Sequence, residues 1–290
     1  MKELVIISGK GGTGKTSLAA SFAYLAGEKA VLADCDVDAS DLHILLKPKI
    51  MKIYQFYGGK KASIINEKCI GCGKCQEICR FDAIQKTDNK YEINIIDCEG
   101  CGYCYRICPV DAIEFNENLS GEWYISKTRL NSTLIFAKLG IAEGNSGKLV
   151  SKIKKEAHNL AKENNKNLMI SDGAPGIGCP VIASLSNADY VLIVTEPSLS
   201  GFYDLKRILE LVKHFGYSVG CIINKYDINE EISKDIQNYS QKNGLEIVGK
   251  IPYSDAFPQS LVLRKTVVEF DKSGIGKYVE ECWTNIQTKL

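Results

Sequence analysis

The sequence predicts an α/β fold, a mostly parallel sheet with helices on both faces, interrupted by a smaller α+β module. Three observations predict it. Short apolar runs alternate with stretches of helical spacing, the pattern of βα units. The first run ends in a glycine-rich turn that opens directly into helical spacing. Eight of the twelve cysteines crowd between Cys69 and Cys108, where long apolar runs are few. This texture divides the chain into 1–58 and 119–290, two parts of the sheet domain, with 59–118 as an inserted domain.

Taken in order, Leu4 to Ser8 reads as a strand, Thr13 to about Leu25 as a helix, and Ala30 to Ala33 as a strand ending in acidic residues. After the cysteine-rich stretch, β-rich runs return at Asn167 to Ser171, Tyr190 to Val194, Val219 to Ile223 and Glu246 to Ile251. Helical spacing lies between them at 147–164, 179–187, 200–215 and 229–243. Gly216, Gly244 and Gly249 sit where elements are expected to end. A last helix from about Gly276 carries Tyr278, Val279, Cys282, Trp283 and Ile286 at helical spacing, with both charge signs on its other face. It reads as a docked core helix rather than a basic membrane anchor.

Charge and composition exclude several classes. Lysine plus arginine number 36 and aspartate plus glutamate 35, a net charge of +1. A protein built mainly to coat nucleic acid or an anionic membrane carries a larger excess. No run approaches the roughly 18 apolar residues of a membrane-spanning helix. The first residues lack the pattern of a signal peptide. Clustered cysteines without such a signal point to metal ligation in a reducing cytoplasm.

Gly9-Lys10-Gly11-Gly12-Thr13-Gly14-Lys15-Thr16 fits the phosphate-loop pattern G-x-x-x-x-G-K-[ST], between a predicted strand and a predicted helix. Inward-turned amides of Gly11, Gly12, Thr13 and Gly14 form a concave anion nest, and the helix N-terminus adds positive potential. Lys15 is expected to reach the β- and γ-phosphates of a nucleotide and Thr16 to ligate Mg²⁺.

The second signal is a repeat. Cys69, Cys72, Cys75 and Cys79 recur 29 positions later as Cys98, Cys101, Cys104 and Cys108, and Asp82-Ala83-Ile84 recurs as Asp111-Ala112-Ile113. C-x₂-C-x₂-C-x₃-C in duplicate is the run of two-cluster ferredoxins, in which the fourth cysteine ligates the other cluster. One [4Fe–4S] cluster is therefore expected on Cys69, Cys72, Cys75 and Cys108, and a second on Cys98, Cys101, Cys104 and Cys79. Pro109 follows Cys108 as that pattern expects, whereas Arg80 follows Cys79. Zinc, the competing ion, favours two close cysteine pairs over duplicated triplets.

The form K-G-G-x-G-K-T, Lys10 to Thr16, resembles the deviant phosphate loop of the MinD/ParA/Mrp class of dimerising P-loop ATPases. The resemblance implies ATP and Mg²⁺ as ligands and an ATP-bound homodimer, with Lys10 reaching the partner subunit's nucleotide. It implies that Asp36 acts on the attacking water, with Asp38 and Asp41 as competitors. It places Asp172, at the end of Leu168-Met169-Ile170-Ser171-Asp172, on Mg²⁺. Asn224 resembles an adenine-contacting asparagine, and Pro252 lies in a segment that resembles one packing over the base. Asn224-Lys225-Tyr226-Asp227 also has the N-K-x-D form of guanine readers; the class resemblance favours ATP.

The whole chain thus resembles such an ATPase carrying a ferredoxin-like insert. That implies a nucleotide-switched protein of iron–sulfur or metal-cluster assembly or transfer, with a cluster-assembly or redox partner. An ATP-gated electron donor and a positioning ATPase are the alternatives. Cys179 lies seven residues after Asp172, the offset at which the nitrogenase iron protein, a relative in this class, ligates a cluster shared between subunits. It is a candidate labile site or a helix-start packing residue. Cys35, Cys221 and Cys282 lie in apolar segments and read as buried thiols. His43, His158 and His214 form no spacing motif.

Overall fold

The central strands of the sheet alternate their side chains between two helical layers, and β1 (Lys2–Ser8) shows how. Leu4 and Ile6 enter one apolar core while Val5 and Ile7 enter the other, all four fully buried. The computed structural model describes all residues of the chain except Asn89 and Ala142. After β1 come α1 (Lys15–Ala26), β2 (Ala30–Asp34), α2 (Leu42–Leu46) and β3 (Lys49–Ile64). The cysteine-rich stretch holds α3 (Lys74–Ile78), β4 (Ile84–Thr87), β5 (Lys90–Ile93) and α4 (Tyr103–Ile107). Next are β6 (Ile113–Lys127), β7 (Thr133–Leu139), α5 (Ser146–Glu163), β8 (Leu168–Pro175) and α6 (Cys179–Leu185). The chain closes with β9 (Tyr190–Thr195), α7 (Leu199–His214), β10 (Val219–Asn224), α8 (Glu230–Lys242), β11 (Glu246–Ile251), α9 (Ala256–Val262), α10 (Val267–Phe270) and α11 (Ile275–Gln287).

The chain divides into two units, the first of Met1–Tyr54, Trp123–Lys138 and Ser146–Leu290, the second of Gln55–Glu122 and Leu139–Asn145. Among the described residues nine strands form one sheet in the order β11-β10-β9-β1-β8-β2-β7-β6-β3. β11 to β7 run parallel through every adjacent pair. This is the α/β architecture expected, and parallel strands bring their C-terminal ends to one edge, where ligands bind. One core lies under α1, α2, α10 and α11, the other under α6, α7 and α8.

The local signals are ordinary ones. α7 starts where the Ser198 side chain accepts from the Gly201 N–H, and α8 where Asn229 accepts from Ile232. Gly216 and Gly244 follow these helices with left-handed φ of 74° and 63°. Gly249, read from sequence as an end, lies instead inside β11, where a Cβ would come within 2.1 Å of the Cys282 sulfur. α11 packs closely there, and only glycine leaves room. Cys35, Cys221 and Cys282 are buried as their apolar surroundings suggested.

β3, β6, β7, α2, α9 and α10 are not among the elements predicted above, although β7 holds the apolar run 134–137 and α10 opens on a capping box of Thr266 and Glu269. β3 is the last strand of the sheet, and in its first half neither face is covered: Ile50, Met51 and Ile53 are 47%, 64% and 58% exposed, interleaved with Lys49 and Lys52. With no buried face it shows no apolar alternation to read.

In the second unit the 29-residue repeat is a repeat of conformation. α3 and α4 occupy corresponding positions, Gly73 and Gly102 cap them at φ 79° and 70°, and Asp82 and Asp111 both take left-handed φ.

In the first unit one buried ionic network ties four elements together. Glu3 on β1 accepts from Ser171 on β8 at 2.7 Å, pairs with Lys154 on α5 at 2.8 Å and meets His158 at 2.9 Å. The Lys154 ammonium also donates to the Ser184 and Ser186 carbonyls where α6 ends. Breaking a buried pair by removing one partner strands the other charge. Lys154→Ala is therefore expected to lower unfolding free energy by about 3–5 kcal/mol, whereas Lys152→Ala, on the exposed face of α5, should change it by under about 0.5 kcal/mol; urea unfolding of both variants checks this.

Candidate functional site

The phosphate loop leaves β1 at Ser8 and enters α1 at Lys15. Gly14 holds φ 91°, and a Cβ there would meet the Asn224 amide nitrogen at 2.5 Å. That position requires glycine twice over, by backbone conformation and by contact. Nothing stands within 4 Å of a Cβ at Gly11 or Gly12, so the concave side of the loop is open.

Lys15 is 6% exposed, and its ammonium lies 2.8 Å from Asp172 Oδ1 and 3.9 Å from Asp36 Oδ2. Burial works to lower its pKa; the carboxylates of Asp172, Asp36 and Asp34 overcome that and hold it above the usual lysine value. Parallel pairing of β2 with β8 sets Asp34 directly beside Asp172. Burial next to that second carboxylate pushes Asp34 up to about 7, against hydrogen bonds from the Ser40 hydroxyl and the Leu42 N–H. Burial also pushes Asp36 up, with Lys15 opposing. Asp172 Oδ2 and Thr13 Oγ1 are buried without a hydrogen-bond partner among the described residues. An orphaned carboxylate oxygen beside an anion nest has the chemistry to hold a hydrated divalent cation between itself and a bound phosphate.

The surrounding pocket is lined by the loop from Gly11 to Ser17, by Asp36, Asp38 and Asp41, and by Asn224, Tyr253, Phe257 and Leu261. Lys15, Thr16, Asp36 and Asn224 are thus brought together with the two competing aspartates, Asp38 and Asp41. Pro252 is half-buried, and its neighbour Tyr253 supplies the wall. The Asn224 amide donates to the Thr13 carbonyl at 2.8 Å, so it braces the loop itself. Asp227 accepts from the Tyr253 N–H at 2.6 Å and shapes the same wall.

Lys10 is turned aside. Its ammonium sits 2.7 Å from Glu196 Oε1 and donates to Ser198 and Ser200. Glu196 also takes Lys225 at 2.9 Å, and Lys225 donates to the Gly12 carbonyl. Burial works against the Glu196 charge, but the two ammonium groups hold its carboxyl below the usual range. Sequence reasoning passed over Glu196 and Asp34. Both are acidic residues at the C-terminal end of a parallel strand, a placement that carries a signal once the strands are known.

In the second unit, Cys69, Cys72, Cys75 and Cys108 line one hollow with Pro109, and Cys79, Cys98, Cys101 and Cys104 line another. None of the eight is in a disulfide. The Ala112 N–H donates to Cys108 Sγ at 3.2 Å. Among the described residues no three His, Cys, Asp or Glu side chains converge on one point as ligands of a single ion. Four thiols around each hollow form the donor set that an iron–sulfur cluster takes. Cys179 is exposed at the first position of α6, following Gly178.

A parallel sheet with this loop between its first strand and first helix defines a P-loop nucleotide-binding protein. Residues 4–267 match the CobQ/CobB/MinD/ParA nucleotide binding domain, and the chain belongs to that family. It is similar along its length to the uncharacterized protein MJ0578 of Methanocaldococcus jannaschii, 35% identical over 98% of this chain and 96% of that protein. A stretch of 120 residues is 27% identical to nitrogenase iron protein 2 of Methanothermococcus thermolithotrophicus, covering 39% of this chain and 41% of the other. In structure it is similar to the septum site-determining protein MinD of Pyrococcus horikoshii, solved in complex with Mg-ADP. The TM-score is 0.60 at 15% identity, over 100% of this chain and 98% of that one, a likeness of fold. No helix among the described residues is long and apolar enough to cross a membrane.

Two variants separate binding from turnover. Lys15→Ala removes the buried loop ammonium and is expected to abolish tight ATP binding in a direct titration. Asp36→Ala is expected to keep ATP affinity within about threefold while slowing hydrolysis by about 10²-fold or more, the pattern that loss of a carboxylate acting on the attacking water gives. Unchanged turnover in the second variant would move that role to Asp38 or Asp41.

Proposed function

We propose that this protein is a nucleotide-switched ATPase carrying two [4Fe–4S] clusters, acting in the assembly or transfer of iron–sulfur or metal clusters. The observation that carries the reading is the sorting of eight thiols into two sets of four, each set made of one repeat's triplet and the other repeat's fourth cysteine. That sorting supports the crossed ligation of two-cluster ferredoxins. Cys69, Cys72, Cys75 and Cys108 would hold one cluster and Cys98, Cys101, Cys104 and Cys79 the other. When bound, such clusters supply one-electron chemistry. The Ala112 N–H on Cys108 Sγ is the type of contact that tunes a cluster's potential.

On the nucleotide side, Lys15 would exchange Asp172 for the β- and γ-phosphates, and Thr16 and Asp172 would hold Mg²⁺. Asp36 would direct the attacking water. Lys10 would leave Glu196 for the nucleotide of a second copy, making an ATP-bound homodimer. Asn224 and the segment of Pro252 and Tyr253 would border the base. Cys179 would present a labile thiol for a cluster carried as cargo. If Cys179 carries nothing, an ATP-gated electron donor is the simpler function of the two clusters.

The fold likeness to MinD favours a second reading, a positioning ATPase that binds DNA or a membrane surface. ATP-dependent binding to anionic liposomes or to DNA at low salt would establish it in place of the first.

The deciding experiment is anaerobic purification with iron and sulfide quantification. About eight irons per chain are expected, two four-iron clusters; iron beyond that, lost in Cys179→Ala, marks the cargo site. Cys75→Ser and Cys79→Ser should then degrade different clusters by electron paramagnetic resonance, although the residues are four apart. Loss of one and the same cluster in both variants would refute the crossed ligation, and an iron-free protein would refute the cluster reading.

A further inference from the structure

Beside the nucleotide pocket, within the first unit, lies a groove lined by His43, Ile44, Lys47 and Pro48 around α2, by Ile50, Tyr124, Phe136 and Lys138 on the sheet, and by Arg264 after α9. Its floor is aromatic. The His43 ring stacks on Phe136 at 5.2 Å with 2° between planes, and Phe136 stacks on Tyr124 at 4.7 Å. Its rim is cationic. Lys47, Lys138 and Arg264 are exposed, and no carboxylate lines the groove among the described residues. Burial, and after it the Lys138 ammonium, lower the pKa of His43, with Asp41, which lines the nucleotide pocket, opposing.

Two of these cations occupy backbone positions that disfavour them. Lys47 caps α2 at φ 42°, and Arg264 follows the cap of α9 at φ 52°. Glycine is the usual residue for a left-handed position after a helix, and a long side chain there is strained. Two of the three rim cations, one at the end of α2 and one just beyond α9, thus sit at strained positions, the kind of backbone outlier that clusters at binding sites.

We propose that this groove binds a small organic anion, one carrying a phosphate or paired carboxylates on a flat apolar body, and that its occupancy is coupled to the nucleotide. The ring system would cover the body and the three cations would take the charge. The coupling follows from shared walls. Ile44 lines both the groove and the nucleotide pocket, α2 follows directly on the segment of Asp36, Asp38 and Asp41, and α9 offers Leu261 to the pocket and leads to Arg264 at the groove. A ligand that fixes either helix biases both sites, and the bias is reciprocal.

The test uses the full chain with its nucleotide pocket saturated by Mg-ADP, so that phosphate-bearing probes cannot enter the loop. The probes are 1-naphthyl phosphate and inorganic pyrophosphate, followed by calorimetry. Naphthyl phosphate is expected to bind saturably, one per chain, and pyrophosphate at least about tenfold more weakly, for want of an apolar body. Lys47→Gly and Arg264→Gly should each weaken naphthyl phosphate by about fivefold or more. Both place glycine where φ favours it, so their thermal midpoints should not fall, which separates lost binding from lost folding. Lys234→Ala with Lys242→Ala, on α8, should change nothing. Saturating naphthyl phosphate should shift Mg-ADP affinity by the factor by which Mg-ADP shifts its own.

No saturable binding, or equal binding in the glycine variants, overturns the site. Pyrophosphate binding as tightly as naphthyl phosphate overturns the ligand class, and independent affinities overturn the coupling. Should Mg-ADP itself fail to bind, the nucleotide reading falls, while the same titration without it still decides the groove.

Discussion

A buried lysine among three aspartates is the constraint around which the first unit is arranged. Lys15, Asp172, Asp34 and Asp36 come from α1, β8 and the end of β2, and bring more negative than positive charge into a desolvated space. Such a cluster persists only when the scaffold leaves it no alternative. Parallel pairing supplies that rigidity, since the register that buries Leu4, Ile6, Leu32 and Ile170 on one face also sets Asp34 beside Asp172. The site is held short of charge balance.

The bracing extends outward in layers. Asn224 holds the loop backbone at Thr13, Lys225 holds it at Gly12, and Glu196 ties Lys225 to Lys10. Behind them Glu3 and Lys154 join β1 and β8 to α5 and the end of α6. These contacts place the segments that border the phosphates on the most tightly fastened part of the sheet. α2 and α9, which wall the same pocket on its other side, are short.

How much of this was legible in the sequence depended on the range of the signal. The phosphate loop and the cysteine repeat are local, each written in one contiguous run with fixed spacing, and both could be read before any fold was known. The parallel strands showed themselves through apolar runs buried on both faces. β3 did not, because its first half is bared on both faces and alternation has nothing to report. Glu196 and Asp34 were invisible for another reason. Their importance comes from which strands lie side by side, information held in the order β9-β1-β8-β2 and in no single stretch of residues. Asn224 was visible, but its bond to the Thr13 carbonyl, a brace on the loop, was not.

The bare edge of β3 has a consequence for how the protein behaves in a crowded solution. A strand with unpaired amides and carbonyls and protruding Ile50, Met51 and Ile53 is a template onto which another chain can zip. Lys49 and Lys52 stand at intervals along it, and two such edges approaching each other set like charges close together. Colloidal stability at this edge is then electrostatic rather than steric. It weakens as ionic strength rises and the repulsion is screened. Preparations would be expected to stay dispersed in dilute buffer and to grow turbid under the concentrated salts often used to purify or store proteins.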